Sequence, residues 1–105
     1  MIKVNGKLVY GIERDGVVHQ EFEMRGATIA DAIAAIEKVG DSPSFLKLRV
    51  FKAAEQMVSL GGVPKEEITG ELLLSLPDDD VEPIYAAQDE LEKKRKGLSK
   101  PSSPT

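Results

Sequence analysis

Four groups of residues in this 105-residue chain have side chains or backbones suited to chemistry. They are His19, the run Asp78-Asp79-Asp80, the pair Gly61-Gly62 and the cluster Lys93-Lys94-Arg95-Lys96. His19 is the single histidine, and no cysteine accompanies it. Without a serine elbow, it cannot assemble a nucleophile–base–orienter triad. It lies beside Glu21 and Glu23, at the opposite strand parity to Phe22, so a solvated position is expected. Three consecutive carboxylates point in different directions, and the spaced ligands and turn glycine of a calcium loop are missing. Helix capping and a favourable dipole interaction account for the run. The glycine pair is not followed by the Gly-Lys-Ser/Thr of a phosphate loop. The basic cluster suits the carboxyl end of a helix, and it lacks interleaved aromatics on which bases could stack. No catalytic, metal or cofactor site is expected.

The elements that would carry these groups can be read from periodicity. Leu8, Tyr10 and Ile12 share one strand face, and after Asp15-Gly16 so do Val18, Phe22 and Met24. A two-residue Asp15-Gly16 loop would pair Arg14 with Val17 and Ile12 with His19. A three-residue loop, Arg14-Asp15-Gly16, would instead set Ile12 against Val18, Tyr10 against Gln20 and Leu8 against Phe22. The second register joins the apolar faces and is the expected one. Asn5-Gly6 could turn a further short strand, Met1–Val4, onto this hairpin.

Thr28 reads as an N-cap, with Asp31 in the capping-box position. Ile29, Ala32, Ile33 and Ile36 follow at helical spacing, and Gly40 ends that helix. Ser42-Pro43 opens a second helix, expected over 43–60, with Leu46, Val50, Ala53, Ala54 and Met57 as its main stripe. A short helix is expected over Glu71–Leu76, stopping at Pro77. Asp78–Asp80 would cap a last helix in which Val81, Ile84, Tyr85, Gln88 and Leu91 share a face. The pairs Asp89–Lys93, Glu90–Lys94 and Glu92–Lys96 would support its exposed side. The expected architecture is α+β: an N-terminal antiparallel β-hairpin, two- or three-stranded, followed by three to four helices. Residues 1–96 form one domain, and 97–105 form a disordered basic Ser/Pro-rich tail.

Composition bounds the function. Apolar residues make up 41% of the chain and aromatics only 5%, so the core is mostly aliphatic. The absence of cysteine fits a reducing cytoplasm. No apolar run approaches the roughly 20 residues that span a bilayer, and Met1–Gly6 is too polar for a signal peptide. The net charge is −4, but nine basic against 18 acidic residues precede Lys93, a net of −9 for the body. Such a body repels phosphate backbones, so nucleic-acid binding would rest on the basic tail alone. A helix-turn-helix over 43–76 is also poorly equipped, because its second helix is Leu-rich and carries no Arg, Lys, Asn or Gln to read base edges. Within 43–60, Phe45, Leu48, Phe51, Val58 and Leu60 broaden the apolar surface beyond one helix face. Part of it is therefore either buried by several neighbours or an exposed groove.

The order of these segments resembles the phage tail assembly chaperones of Mu-like prophages. The resemblance is carried by Asp15-Gly16, by Glu21-Phe22-Glu23-Met24-Arg25, and by the link Ala27-Thr28 with Asp31 following. It continues in Glu71-Leu72-Leu73-Leu74-Ser75-Leu76 and Asp78–Asp80, and covers about residues 8 to 96. It implies a non-enzymatic, cofactor-free cytoplasmic helper that holds the tape-measure protein soluble and helps tail-tube subunits assemble around it. Self-association is left open, and some related systems make a longer frameshifted product. Phe45, Leu48, Phe51 and Leu60 are the expected partner contacts. The alternative is a small nucleic-acid-binding regulator acting through its basic tail.

Overall fold

A computed structural model describes residues 1–99, with side chains to residue 97. The order is β1 (Lys3–Arg14), β2 (Val17–Arg25), α1 (Ile29–Val39), α2 (Phe45–Gln56), β3 (Met57–Leu60), α3 (Gly70–Leu74) and α4 (Val81–Ser99). Short 3-10 turns occupy Lys65–Glu67 and Asp78–Asp80. The fold is α+β: a three-stranded antiparallel sheet in the order β1-β2-β3, with four α-helices. Among the described residues, no helix is long and apolar enough to cross a membrane.

The third strand is not Met1–Val4. β1 passes straight through Asn5-Gly6, because Phe22 stacks against Gly6 so closely that a Cβ there would sit 2.3 Å from its ring. The third strand comes from 57–60, so helix 43–60 is corrected to a helix ending at Gln56 and a strand beginning at Met57. β3 pairs Phe22 with Leu60 and Glu23 with Ser59, and the Gly61 N–H reaches the Glu21 carbonyl at 2.8 Å. These bonds satisfy an edge of β2 that a continued helix would leave open.

The hairpin register is the two-residue one. Arg14 pairs with Val17, and Ile12 with His19. Asp15 and Gly16 both have positive φ, 53° and 78°, as a type I′ turn requires. The apolar faces are matched instead by a bulge, where Leu8–Gly11 lie opposite Gln20 alone. The bulge drops Leu8 into the core and turns Val9 and Tyr10 outward, so Leu8 and Tyr10 do not share a face. Val18 is likewise exposed, while Phe22 and Met24 are buried.

One core joins Val4, Leu8, Phe22 and Met24 of the hairpin to Val50, Ala53, Ala54, Met57 and Leu60. Ile84, Ala87 and Leu91 of α4 close it from the other side. α4 has the expected inward face, and the Thr28–Asp31 capping box forms as expected. α1 itself is rolled over. It buries Asp31, Ala35 and Val39, whereas Ile29, Ile33 and Ile36 face outward. α4 also runs past the expected boundary at 96, through Ser99; the rest of the expected tail, 100–105, lies outside the described residues.

Candidate functional site

Two polar arrangements shape the surface. The first holds the β1 bulge. Asp80 is fully buried, and its carboxylate accepts the N–H groups of Val9 (2.6 Å), Tyr10 (2.9 Å) and Gly11 (3.0 Å). The Gln20 amide donates to the Val9 and Leu8 carbonyls at 3.0 and 3.4 Å. Donors and acceptors of the bulge are thus met by two side chains, one from β2 and one just before α4. The run forms a 3-10 turn leading into α4; the cap position of that turn is Pro77, with no side-chain cap bond. Among the described residues, no three potential ligands cluster for a metal ion.

The second arrangement crosses four elements. Arg25, at the end of β2, makes a two-pronged ion pair with Asp31 at 2.6 and 2.9 Å and also donates to the Gly26 and Glu55 carbonyls. The Arg25 hydrogen bond, helped by the Thr28 N–H, holds the Asp31 carboxyl below its ordinary range despite burial. The Gln56 amide donates to the Arg25 carbonyl at 3.1 Å, and Gln88 donates to the Gln56 side chain at 3.1 Å. Arg49 then donates to Gln88 at 2.8 Å and to Asp89 at 2.9 Å, with its guanidinium 3.8 Å over the Tyr85 ring. Asp89 is therefore engaged with α2; of the expected α4 pairs, Glu90–Lys94 forms at 3.5 Å.

This network walls an open groove of about 410 Å³ between α2, α4 and the Gly26-Ala27 link. Its apolar lining comes from Ala27, Leu48, Leu91 and Phe45, and its rim carries Lys52, Glu92 and Arg95. Arg95 closes one end. It donates to the Ala27 carbonyl at 2.6 Å and lies where a Cβ on Gly26 would stand. No buried side-chain polar atom of the described residues is left without a partner, so the groove walls carry no unpaired buried polar side chain.

The chain matches no protein-family profile, no curated protein and no solved structure among those with which it was compared.

The four expected contact residues divide two and two. Phe45 stands 87% exposed on the groove lip, and Leu48 is half-buried in its lining. Phe51 and Leu60 are core residues. Phe51 packs with Ala35 and Val39 and presses its ring on Gly70, where a Cβ would come within 2.4 Å. Leu60 is fully buried in the core that lines the sheet. Both side chains are buried within the chain: Leu60 because the strand 57–60 turns it inward, and Phe51 because α1 and Gly70 cover it. His19 is half-buried, not simply solvated: its Nδ1 accepts the Gly62 N–H at 3.0 Å. Sequence reasoning missed both Asp80's role and the Arg25–Gln56–Gln88–Arg49 network. Gly11 inside a strand signals a bulge, and Gln88 on the inward face of α4 signals a buried polar network.

Proposed function

We propose that this protein is a non-enzymatic phage tail assembly chaperone that binds the tape-measure protein and keeps it soluble in the bacterial cytoplasm during tail assembly. The observation that carries this reading is the open groove beside the exposed ring of Phe45. An apolar lining with a charged rim suits the aliphatic or aromatic anchors of an amphipathic helix. A tape measure, long, helical and partly apolar, offers such anchors in series. The acidic body supplies the like-charged exterior that keeps a loaded complex in solution. The segment order set out above supplies the partner, and tail-tube subunits would be handed on from the same complex.

Co-expression with the tape-measure protein encoded beside it tests the proposal. The native chain should render the tape measure soluble and co-purify with it at moderate salt. Phe45→Asp should abolish co-purification while leaving the far-UV spectrum and melting midpoint near those of the native chain. Leu48→Asp should weaken it too, with a lower melting midpoint because Leu48 also packs against Ala35, Val39 and Phe51. An insoluble, unbound tape measure beside the native chain would sink the reading. So would undiminished binding by both folded variants.

A further inference from the structure

α1 turns its largest apolar side chains away from the molecule. Ile29, Ile33 and Ile36, spaced i, i+4, i+7, are 81%, 51% and 61% exposed. The helix cannot roll them inward, because Arg25 grips Asp31 through two hydrogen bonds on the opposite face. Ala35 and Val39 on that face pack against Phe51 of α2. The stripe is separate from the α2–α4 groove, whose lining includes none of the three isoleucines. A contiguous exposed apolar stripe on a charged protein marks an interaction surface.

We infer that α1 is a self-association surface, on which two copies of this chain pack their α1 helices antiparallel about a twofold axis through Ile33. Three observations select a second copy as the occupant. The stripe is self-complementary, with Ile29 four residues before Ile33 and Ile36 three after it. Antiparallel pairing therefore lays Ile29 of each copy on Ile36 of the other, as an isologous contact requires. Charge selects the same face. The chain nets −4, so two copies repel, yet the one charged residue between Ile29 and Ile36 is Asp31, buried and paired. Finally, Glu37 is exposed one residue beyond the stripe. Antiparallel packing sets each Glu37 toward the N-terminal end of the other α1, the positive end of its dipole. Parallel packing would set the two Glu37 side chains against each other. A single helix pair buries less than the roughly 800 Å² per partner of a standard interface. The dimer is therefore concentration-dependent and dissociates on dilution.

The absence of cysteine makes the geometry directly testable. Single cysteines at Ile29, Ile33 and Ile36, all exposed, leave the core untouched. With a short thiol-to-thiol cross-linker, Ile33→Cys should give covalent dimer, because a residue on the twofold meets its own copy. Ile29→Cys and Ile36→Cys should each stay largely monomeric alone, but link to each other when mixed. Ile33→Asp should shift the sedimenting species from dimer to monomer at every concentration tested. Equal linking by all three single variants, self-linking by Ile29→Cys in place of Ile33→Cys, or a native chain that sediments as monomer at millimolar concentration would each overturn the inference. None of these readouts depends on the tape measure, so this inference and the chaperone reading fail separately.

Discussion

Asp80 and Asp31 are both buried acids, and each is held by a different device. Asp80 sits on three backbone N–H groups about 70 residues away in sequence. Nothing in Asp78-Asp79-Asp80 distinguishes the buried carboxylate from its two exposed neighbours, which is why its role was not legible. Asp80→Ala would strand three donors of the bulge and should cost about 3 kcal/mol, against less than about 0.5 for Asp79→Ala, by urea denaturation. Asp31, by contrast, was legible in part: its capping box is a local pattern, but its ion pair with Arg25 depends on how α1 docks. Because Asp31's folded pKa is lowered, its ionisation stabilises the fold fully above about pH 3.9, the ordinary aspartate value. That contribution fades as pH falls through the lowered folded value. Asp31→Asn should therefore be less stable than the native chain by about 2 kcal/mol at pH 7. The gap should narrow as pH drops below the ordinary aspartate range. A gap that stays constant in melts between pH 7 and pH 2 would show that the ionised pair contributes nothing.

Local patterns located the elements better than they located their boundaries or their faces. The helix through Gln56 was legible, and so was the α4 stripe. The switch to strand at Met57 was not, because Met57-Val58-Ser59-Leu60 satisfies helical spacing equally well. The open edge of β2 decides it, and no local pattern encodes that edge. α1 shows the same limit from the other side. Three isoleucines at helical spacing imply an inward face, yet the helix buries its alanine side, which allows close approach to Phe51. The hairpin was misread because both registers were weighed without a bulge, although Gly11 inside the strand is a signal for one. Its importance can be measured. Gly11 and Gly16 have nearly equal φ, +80° and +78°, but a Cβ at Gly11 would lie 2.4 Å from the His19 carbonyl oxygen, while at Gly16 nothing lies within 4 Å. Gly16→Ala should cost only the left-handed backbone strain, about 1 kcal/mol. Gly11→Ala must also break the bulge and should cost about 3 kcal/mol. Equal shifts in the two urea midpoints would mean that the bulge carries no packing strain.

At the scale of the whole molecule the chain is interleaved. The hairpin receives its third strand from residues 57–60 and its clamp from Asp80, while Ile84, Ala87 and Leu91 of α4 complete the core that Leu8 enters. The network from Arg25 to Asp89 ties the same parts a second time, on the groove side. A 105-residue chain with few aromatics has little apolar surface to spare, and its core is continuous across the sheet and three helices. A smaller separate cluster, Ala35 and Val39 of α1 with Phe51 of α2, lies beside it. The order of elements was visible in the sequence as an α+β domain, but the interleaving was not, since it consists of contacts between distant segments. It predicts one cooperative transition, with far-UV ellipticity and tyrosine fluorescence sharing a midpoint. Tyr10 reports the bulge and Tyr85 the contact between α2 and α4, where Arg49 lies over its ring. A fragment ending at Pro77 retains β1, β2, β3 and three helices, yet it lacks Asp80 and the closing face of α4. That fragment should show no cooperative melt and should collapse the amide-exchange protection of β2 and β3 by at least a hundredfold. If it instead melts cooperatively with protected β2 amides, the sheet and its first helices form an independent unit, and α4 is only an appended arm.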